Sequence, residues 1–378
     1  MQDRSLTMMI PIINGKHSSL EKFLQLNRKS ILGAFNQSRV TQMASFIIVL
    51  PNEEQKCDYR LLFTAFYNGG DELNYLTDIR KKLGPLLHSI WIHCVGFHAS
   101  TLKNADEFTA FVNKYILKSK LYSNAFPGIS ASVIRESDAL RKQVDGILDA
   151  VPVGTKASFV KKLEFGLTKP VVEKPHWIDC TAQRLAGIRP GHTNDPTIGV
   201  ETDPKLYQVE DVTTQNILTV IVPVKKPFLK LRLLLLNTVF HFGRKRLLKN
   251  PGKTGQIGKL TTIHFMRWTL TDGGRNLLFQ SVYDGSWESY IDDFVDIAAL
   301  SMNIIWGNCK GYPVNGAEDI EYFKHYIRKN QLSANVAYLA YPQLSVCNIL
   351  TNLSMSGASQ EYNRSQGFQR HICGSYRR

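Results

Sequence analysis

Four polar side chains in the second half of the chain, His264, Arg267, Asp284 and Asn308, are of the types that move protons and stabilise charge. An imidazole titrates near neutral pH and can act as acid or base. A carboxylate can orient it, and a guanidinium or an amide can stabilise developing negative charge. An internal comparison singles these four out, because the chain contains itself twice. Residues 6–12 (LTMMIPI) return as 218–224 (LTVIVPV), and 41–50 (TQMASFIIVL) as 261–270 (TTIHFMRWTL). Leu61-Leu62-Phe63 returns as Leu277-Leu278-Phe279, Tyr67-Asn68-Gly69 as Tyr283-Asp284-Gly285, and Phe126-Pro127 as Tyr341-Pro342. Ile90-Trp91 with Cys94 returns as Ile305-Trp306 with Cys309. Positions that carry the fold should agree between copies, whereas positions that carry a site are free to differ. Matched this way, Ala44 faces His264, Ile47 faces Arg267, Asn68 becomes Asp284 and His93 becomes Asn308. Each candidate also has a structural reading. His264 is then a hydrogen-bonded core histidine, Arg267 pairs with a carboxylate on the helix side, and Asp284 or Ser286 caps a helix starting at Trp287. Three residues apart on a strand, His264 and Arg267 point to opposite faces unless a bulge intervenes.

The elements that position these residues follow from the pattern of one copy. Residues 6–12 form a short apolar run ending at Asn14-Gly15, a strand and a turn. Leu20, Phe23, Leu24 and Leu26 follow helical spacing behind Ser18 and Ser19. Residues 44–50 and 59–67 read as a hairpin, and Leu73, Leu76, Ile79 and Leu83 as a helix ended by Gly84-Pro85. Residues 89–97 read as a fourth strand, followed by a helix over 105–119 and an extended piece over 124–130. The second copy gives strands near 218–224, 262–270, 276–283 and 304–312, with helices near 227–248, 287–300 and 318–330. The order is βαββαβ, the ferredoxin-like unit, an antiparallel sheet with helices on one face. The fold class is therefore α+β, with two tandem ferredoxin-like repeats over 1–135 and 218–355. A linker excursion spans 136–217, with a short helix near 138–150, and a polar basic tail spans 356–378. Two such sheets in one chain can pair their bare faces, the arrangement of a dimeric α+β barrel.

This pattern resembles the dimeric α+β barrel superfamily and, within it, the dye-decolorising peroxidases that carry tandem ferredoxin-like domains. Ile263-His264-Phe265-Met266-Arg267-Trp268, Tyr283 to Tyr290 and Ile305-Trp306-Gly307-Asn308 look like segments of a bacterial group of this shape. The resemblance implies a peroxidase-like oxidoreductase with haem in the second repeat, an Asp and an Arg on the peroxide side and a His on the other. His325 and His241 are then the candidate cofactor ligands. The alternative is a non-enzymatic ligand-binding or membrane-associated protein that keeps the fold without catalysis. It is favoured by Ser281-Val282-Tyr283-Asp284-Gly285, which has Asp-Gly without the leading Gly of the peroxidase motif.

Composition narrows the partners. The formal net charge is +14, and it is unevenly placed. From Val212 to Thr271 there is no acidic residue, but there are eleven Lys or Arg. Such a segment favours an anionic partner, and its run of leucines over 233–236 suits an anionic membrane surface met through 225–249. Nucleic acid is not expected, because no RNP-like or helix-turn-helix signal accompanies the charge. The six cysteines form no CxxC pair, so no metal site is expected from them. Without a signal-peptide pattern or a run long enough to span a bilayer, the expected location is cytoplasmic, with peripheral membrane contact as an option.

Overall fold

The computed structural model describes residues 3–51, 58–149, 212–249 and 261–357, together with positions 183, 185–188, 206, 210, 257 and 260. Most of the expected linker, and the tail beyond 357, lie outside the described residues. The first half runs β1 (Asp3–Pro11), α1 (His17–Leu26), α2 (Arg28–Asn36), β2 (Thr41–Val49), β3 (Arg60–Asn68), α3 (Glu72–Leu83), α4 (Pro85–Trp91), α5 (Ala105–Tyr115), β4 (Leu121–Asn124) and α6 (Ala131–Asp149). The second half runs β5 (Gln215–Pro223), α7 (Leu229–Lys249), β6 (Ile263–Thr271), β7 (Asn276–Asp284), α8 (Trp287–Trp306), α9 (Ile320–Asn330), β8 (Val336–Leu339) and α10 (Val346–Met355). The chain is thus α+β, with two βαββαβ units.

Each unit completes its sheet with a strand from the other. The two antiparallel sheets are ordered β1-β3-β2-β8 and β4-β6-β7-β5. β8, from the second half, pairs with β2 from Met43↔Leu339 to Phe46↔Val336. β4, from the first half, pairs with β6 from Leu121↔Trp268 to Asn124↔Phe265. The helices that follow these strands, α6 and α10, pack on each other. The expected short helix near 138–150 is the later part of α6, which begins at Ala131.

The fourth strands expected at 89–97 and 304–312 are not strands. Residues 85–91 are α4, and residues 304–306 are the last turn of α8. α3 ends at Leu83 with Gly84 as its cap, as expected, and Pro85 then starts a new helix, at the first-turn position where its missing N–H costs nothing. Leu87, Ile90, Trp91 and Cys94 are buried while Ile92 and Val95 are exposed, a three-and-four spacing that no strand would give. What remains of the expected strand is one bridge per copy, Ile12↔Cys94 and Val224↔Cys309. Burial pushes both cysteine thiols up to about 12.

Alternation along the strands sorts residues into two environments. Leu6, Met8, Phe46, Phe63, Trp268 and Phe279 belong to the main core under the helices. The other faces of the two sheets meet each other in layers. One layer holds Met43, Phe66, Phe265 and Val282, with the Phe66 and Phe265 rings stacked at 5.0 Å. Another holds Met9, Ile47, Leu62 and Leu278. Between them lies a polar belt of Thr7, Ser45 and Thr64 from the first sheet and Thr219, Arg267 and Gln280 from the second. Beyond the second apolar layer, Arg60 pairs with Asp272 across the sheets. Burial would raise the Asp272 pKa, but Arg60, Asn276 and Thr271 outweigh it and hold the carboxyl below its ordinary value. At the two seams the sheets are joined by single bridges, Met8↔Ile116 and Val220↔Gln331.

Strand exchange makes each half dependent on the other. A fragment of residues 1–150 leaves the β2 edge unpaired and its inner face bare, so it should be insoluble or molten alone. Coexpressed with residues 200–378 it should give a soluble heterodimer that unfolds in one transition, followed by circular dichroism. Cooperative unfolding of the isolated fragment as a monomer is the outcome that rules out the exchange.

Candidate functional site

His264 sits where the register of β6 against β7 shifts between Ile263 and Phe265, so it is a bulge residue. It is fully buried, and its Nε2 lies 2.7 Å from Asp284 Oδ1. A carboxylate can only accept, so Nε2 carries the proton. Nδ1 is buried without a hydrogen-bond partner. The second Asp284 oxygen accepts from the Val346 backbone N–H at 2.7 Å, at the start of α10. Asp284 therefore ties β7 to α10, while Ser286 caps α8 by accepting from Ser289 N. The first copy has the same bulge, between Thr41 and Met43, and there Gln42 Nε2 donates to Asn68 Oδ1.

This equivalence corrects the sequence matching. Ala44 pairs with Ala65 and Met266 with Ser281, so the counterpart of Ala44 is Met266. His264 then answers Gln42, and Arg267 answers Ser45. The sequence match was two residues out because Thr41 and Thr261, which anchored it, are not equivalent. The contrast between copies is accordingly not apolar against polar. It is a neutral Gln–Asn pair against an ionisable His–Asp pair.

Arg267 lies in the polar belt and is fully buried. Its Nη1 donates to Leu6 O, and to Thr7 Oγ1 at 3.1 Å. Its Nη2 donates to Gln280 Oε1 at 2.8 Å, and the guanidinium lies 4.0 Å over the Phe66 ring. The expected carboxylate partner on the helix side is not what holds it, since these partners are neutral and lie between the sheets. Burial pulls its pKa down to about 9, so it remains a cation at neutral pH. Gln280 passes the contact on, donating from Nε2 to Thr219 Oγ1 at 2.9 Å.

The other candidates lie elsewhere. Asn308 is in the turn after α8, where its Oδ1 accepts from Arg232 at 3.2 Å and its Nδ2 donates to Ile304 O at 2.8 Å. Its backbone carbonyl accepts from Lys225 N just beyond β5, whereas Asp284 pairs with Gln215 at the other end of that strand. The length of β5 separates the two places, eight steps from Gln215 to Pro223 or roughly 26 Å at about 3.3 Å per step. His325 is half-buried on α9 beside Tyr322, with its pKa lowered by burial and by Lys329. His241 is exposed on α7 beside Phe242. The structure thus joins His264 to Asp284 and leaves Arg267, Asn308, His325 and His241 in four separate settings. Trp91 and Trp306 are both buried core residues, in line with their recurrence.

A pocket that no sequence motif marks lies at the seam between β5 and β8. After Leu332 N donates to Thr219 O, β8 leaves β5 to join β2. The gap opens a cavity of about 560 Å³. Leu32 and Arg28 of α2, Leu206 and Glu210 line it, together with Ile217, Thr219, Ala337 and Leu339 of the strands, and Leu206 and Thr219 are buried. Glu210 is fixed by Arg328 Nη1 at 2.6 Å and by Gln331 Nε2 at 2.6 Å. Arg328 in turn lies 3.6 Å over the Trp287 ring. Tyr338 also lines the pocket, and its phenol accepts from Arg135 Nη2. Burial raises the Tyr338 pKa, against the pull of Arg135. The one signal that could have located this pocket is the small, polar Ser333-Ala334-Asn335 stretch, which fills little of the space between the strands.

Haem does not fit the described residues of this pocket. Among them no histidine, cysteine or methionine lines it, and its one phenol is held by Arg135. His325 and His241 lie on outer helices, and His264, with Nε2 on Asp284 and Nδ1 without a partner, is fully buried and does not line this pocket. Among the described residues no cluster of His, Cys, Asp or Glu could hold a metal ion.

No family model matches the chain, and no curated protein does. Two solved structures are similar to it over most of its length. One is a candidate monooxygenase from Fusobacterium nucleatum subsp. nucleatum ATCC 25586, 7% identical, with a TM-score of 0.29, covering 91% of this chain and 97% of that one. The other is a candidate monooxygenase from Lactobacillus acidophilus NCFM, 9% identical, with a TM-score of 0.27, covering 91% and 99%. Likeness this slight assigns no residue and no activity to the present chain.

The belt predicts how Arg267 bears on stability. Arg267→Ala leaves a cavity and strips partners from Leu6 O and Gln280, at a cost of about 2–4 kcal/mol. Removing Gln280 as well, in Arg267→Leu with Gln280→Leu, should recover part of that loss. Urea denaturation of the three proteins measures both effects.

Proposed function

We propose that the chain binds a small, mainly apolar molecule in the seam between β5 and β8. The cavity bordered by the buried Thr219 is the observation that carries this reading, and its volume is that of an ordinary ligand site. Leu32, Leu206, Ile217 and Leu339 offer an apolar wall to the body of the ligand. Thr219 offers a hydroxyl, backed through Gln280 by the Arg267 cation. A buried cation with neutral partners favours negative potential nearby, so the preferred ligand carries a carboxylate or carbonyl oxygen at the end that meets Thr219. An oxidoreductase acting on the bound molecule is the second reading. Tyr338 favours it, because this residue borders the same pocket and its phenol, held by Arg135, can exchange a proton with what lies there.

Titration calorimetry with naphthoate, an aromatic carboxylate, tests the binding. One saturable site is expected. Ala337→Trp, which fills the seam, should abolish it, and Thr219→Val should weaken it about fivefold, the value of one hydrogen bond. Unchanged affinity in Ala337→Trp, with an intact circular dichroism spectrum, rules out the pocket. For the second reading, aerobic oxidation of hydroquinone should be lost in Tyr338→Phe while naphthoate binding persists. Absence of turnover in the parent protein leaves a binding protein.

A further inference from the structure

We infer that the outer face of α7 is a docking surface for an anionic membrane. Six of the eleven cations of the acid-free segment have described side chains, and these six divide into two sets. Lys225 donates to Gly307 O at 2.7 Å, Arg232 holds Asn308, and Arg267 lies between the sheets, so these three serve the fold. Lys226, Lys230 and Arg244 are exposed along α7 and its approach. Between them Leu231, Leu234 and Phe242 are 59%, 64% and 63% exposed. Leu231 lies three residues before Leu234 and eleven before Phe242, spacings that place all three on one side of the helix. Ahead of them Phe228 holds φ at 57°, a left-handed conformation that aromatic residues rarely adopt, with its ring 77% exposed.

The twin helix in the first copy serves as an internal control. α1 stands at the same place after the first strand, yet its exposed residues are Ser18, Ser19, Lys22 and Gln25, with one large apolar side chain, Leu26. Covering a sheet therefore does not require an apolar outer face. Among the described side chains of α7, a narrow stripe centred on Leu236 and Phe240 is buried against the sheet. Leucines and phenylalanines flanked by cations, with no acid between them, match the acyl chains and phosphates of an anionic leaflet. A nucleic acid would use the cations and leave the leucines unexplained. No helix among the described residues is long and apolar enough to cross a membrane, so the contact is one of adsorption.

Vesicle co-sedimentation tests this. The intact protein should bind phosphatidylcholine vesicles containing about one third phosphatidylserine, and binding should weaken at least about tenfold between about 0.05 and 0.5 M salt. Leu231→Asp with Phe242→Asp should abolish it, and Lys226→Glu with Lys230→Glu should weaken it strongly. Lys22→Glu on the twin helix should leave it unchanged, and all variants should keep the parent circular dichroism spectrum. Equal recovery with pure phosphatidylcholine overturns the inference. So does an RNA oligomer bound equally by the parent and the Leu231→Asp, Phe242→Asp protein but lost on charge reversal, which marks a polyanion patch. A dimer in the parent that dissociates in the Leu231→Asp, Phe242→Asp protein overturns it as well, by assigning the face to a second copy.

Discussion

Four residues of backbone pairing at each of two places hold the halves of this chain together, and every other feature follows from that exchange. A ferredoxin-like unit that kept its last strand would present a complete sheet with one bare face. Here the last strand of each unit crosses over, so neither sheet exists without the other half. The crossing also fixes the distance between the sheets, because β4 and β8 leave one partner at a single bridge before joining the next. The interior between the sheets and the seam pocket are both products of this geometry.

Within that interior the two halves are complementary rather than alike. In the polar belt the first sheet offers Thr7, Ser45 and Thr64, where the second offers Thr219, Arg267 and Gln280. Short side chains on one side leave room for long ones from the other, and Gln280 reaches within 3.4 Å of the Ser45 hydroxyl. The apolar layers above and below keep water from the guanidinium. Its two Nη groups therefore donate to a carbonyl, a hydroxyl and an amide, and its Nε is buried without a hydrogen-bond partner, where an exposed arginine would use solvent. The cost of burying such a charge is usually several kcal/mol, which the neighbouring apolar burial must offset.

Much of the fold was legible in the sequence, because the signals were periodic and doubled. The hairpins β2–β3 and β6–β7, the first strands and the helices after them all show as apolar runs or helical spacing, and each recurs in the second copy. The last strands did not. β4 and β8 have four residues each, too few to show a period, and Ile90-Trp91 and Ile305-Trp306 offered a more apolar decoy. Partner choice was invisible for a different reason, since nothing local in Val336–Leu339 states that its neighbour is β2. The site was legible in its residue types but not in its grouping. His264 and Asp284 meet through a bulge, and a bulge changes register by one residue without changing composition. Arg267 looked like a member of the same group and points instead into the space between the sheets.

The position of Arg267 also bears on symmetry. In a pair of identical chains with this architecture, every residue of the belt would occur twice about the two-fold axis. The place now held by Ser45 would then be an arginine, and two guanidinium groups would face each other in a space that excludes water. Joining the two units into one chain removes that duplication. A single cation can then sit off-centre, giving the interior a polarity that a homodimer of the same fold could not have. The His264–Asp284 pair, opposite Gln42–Asn68, is a second departure of the same kind.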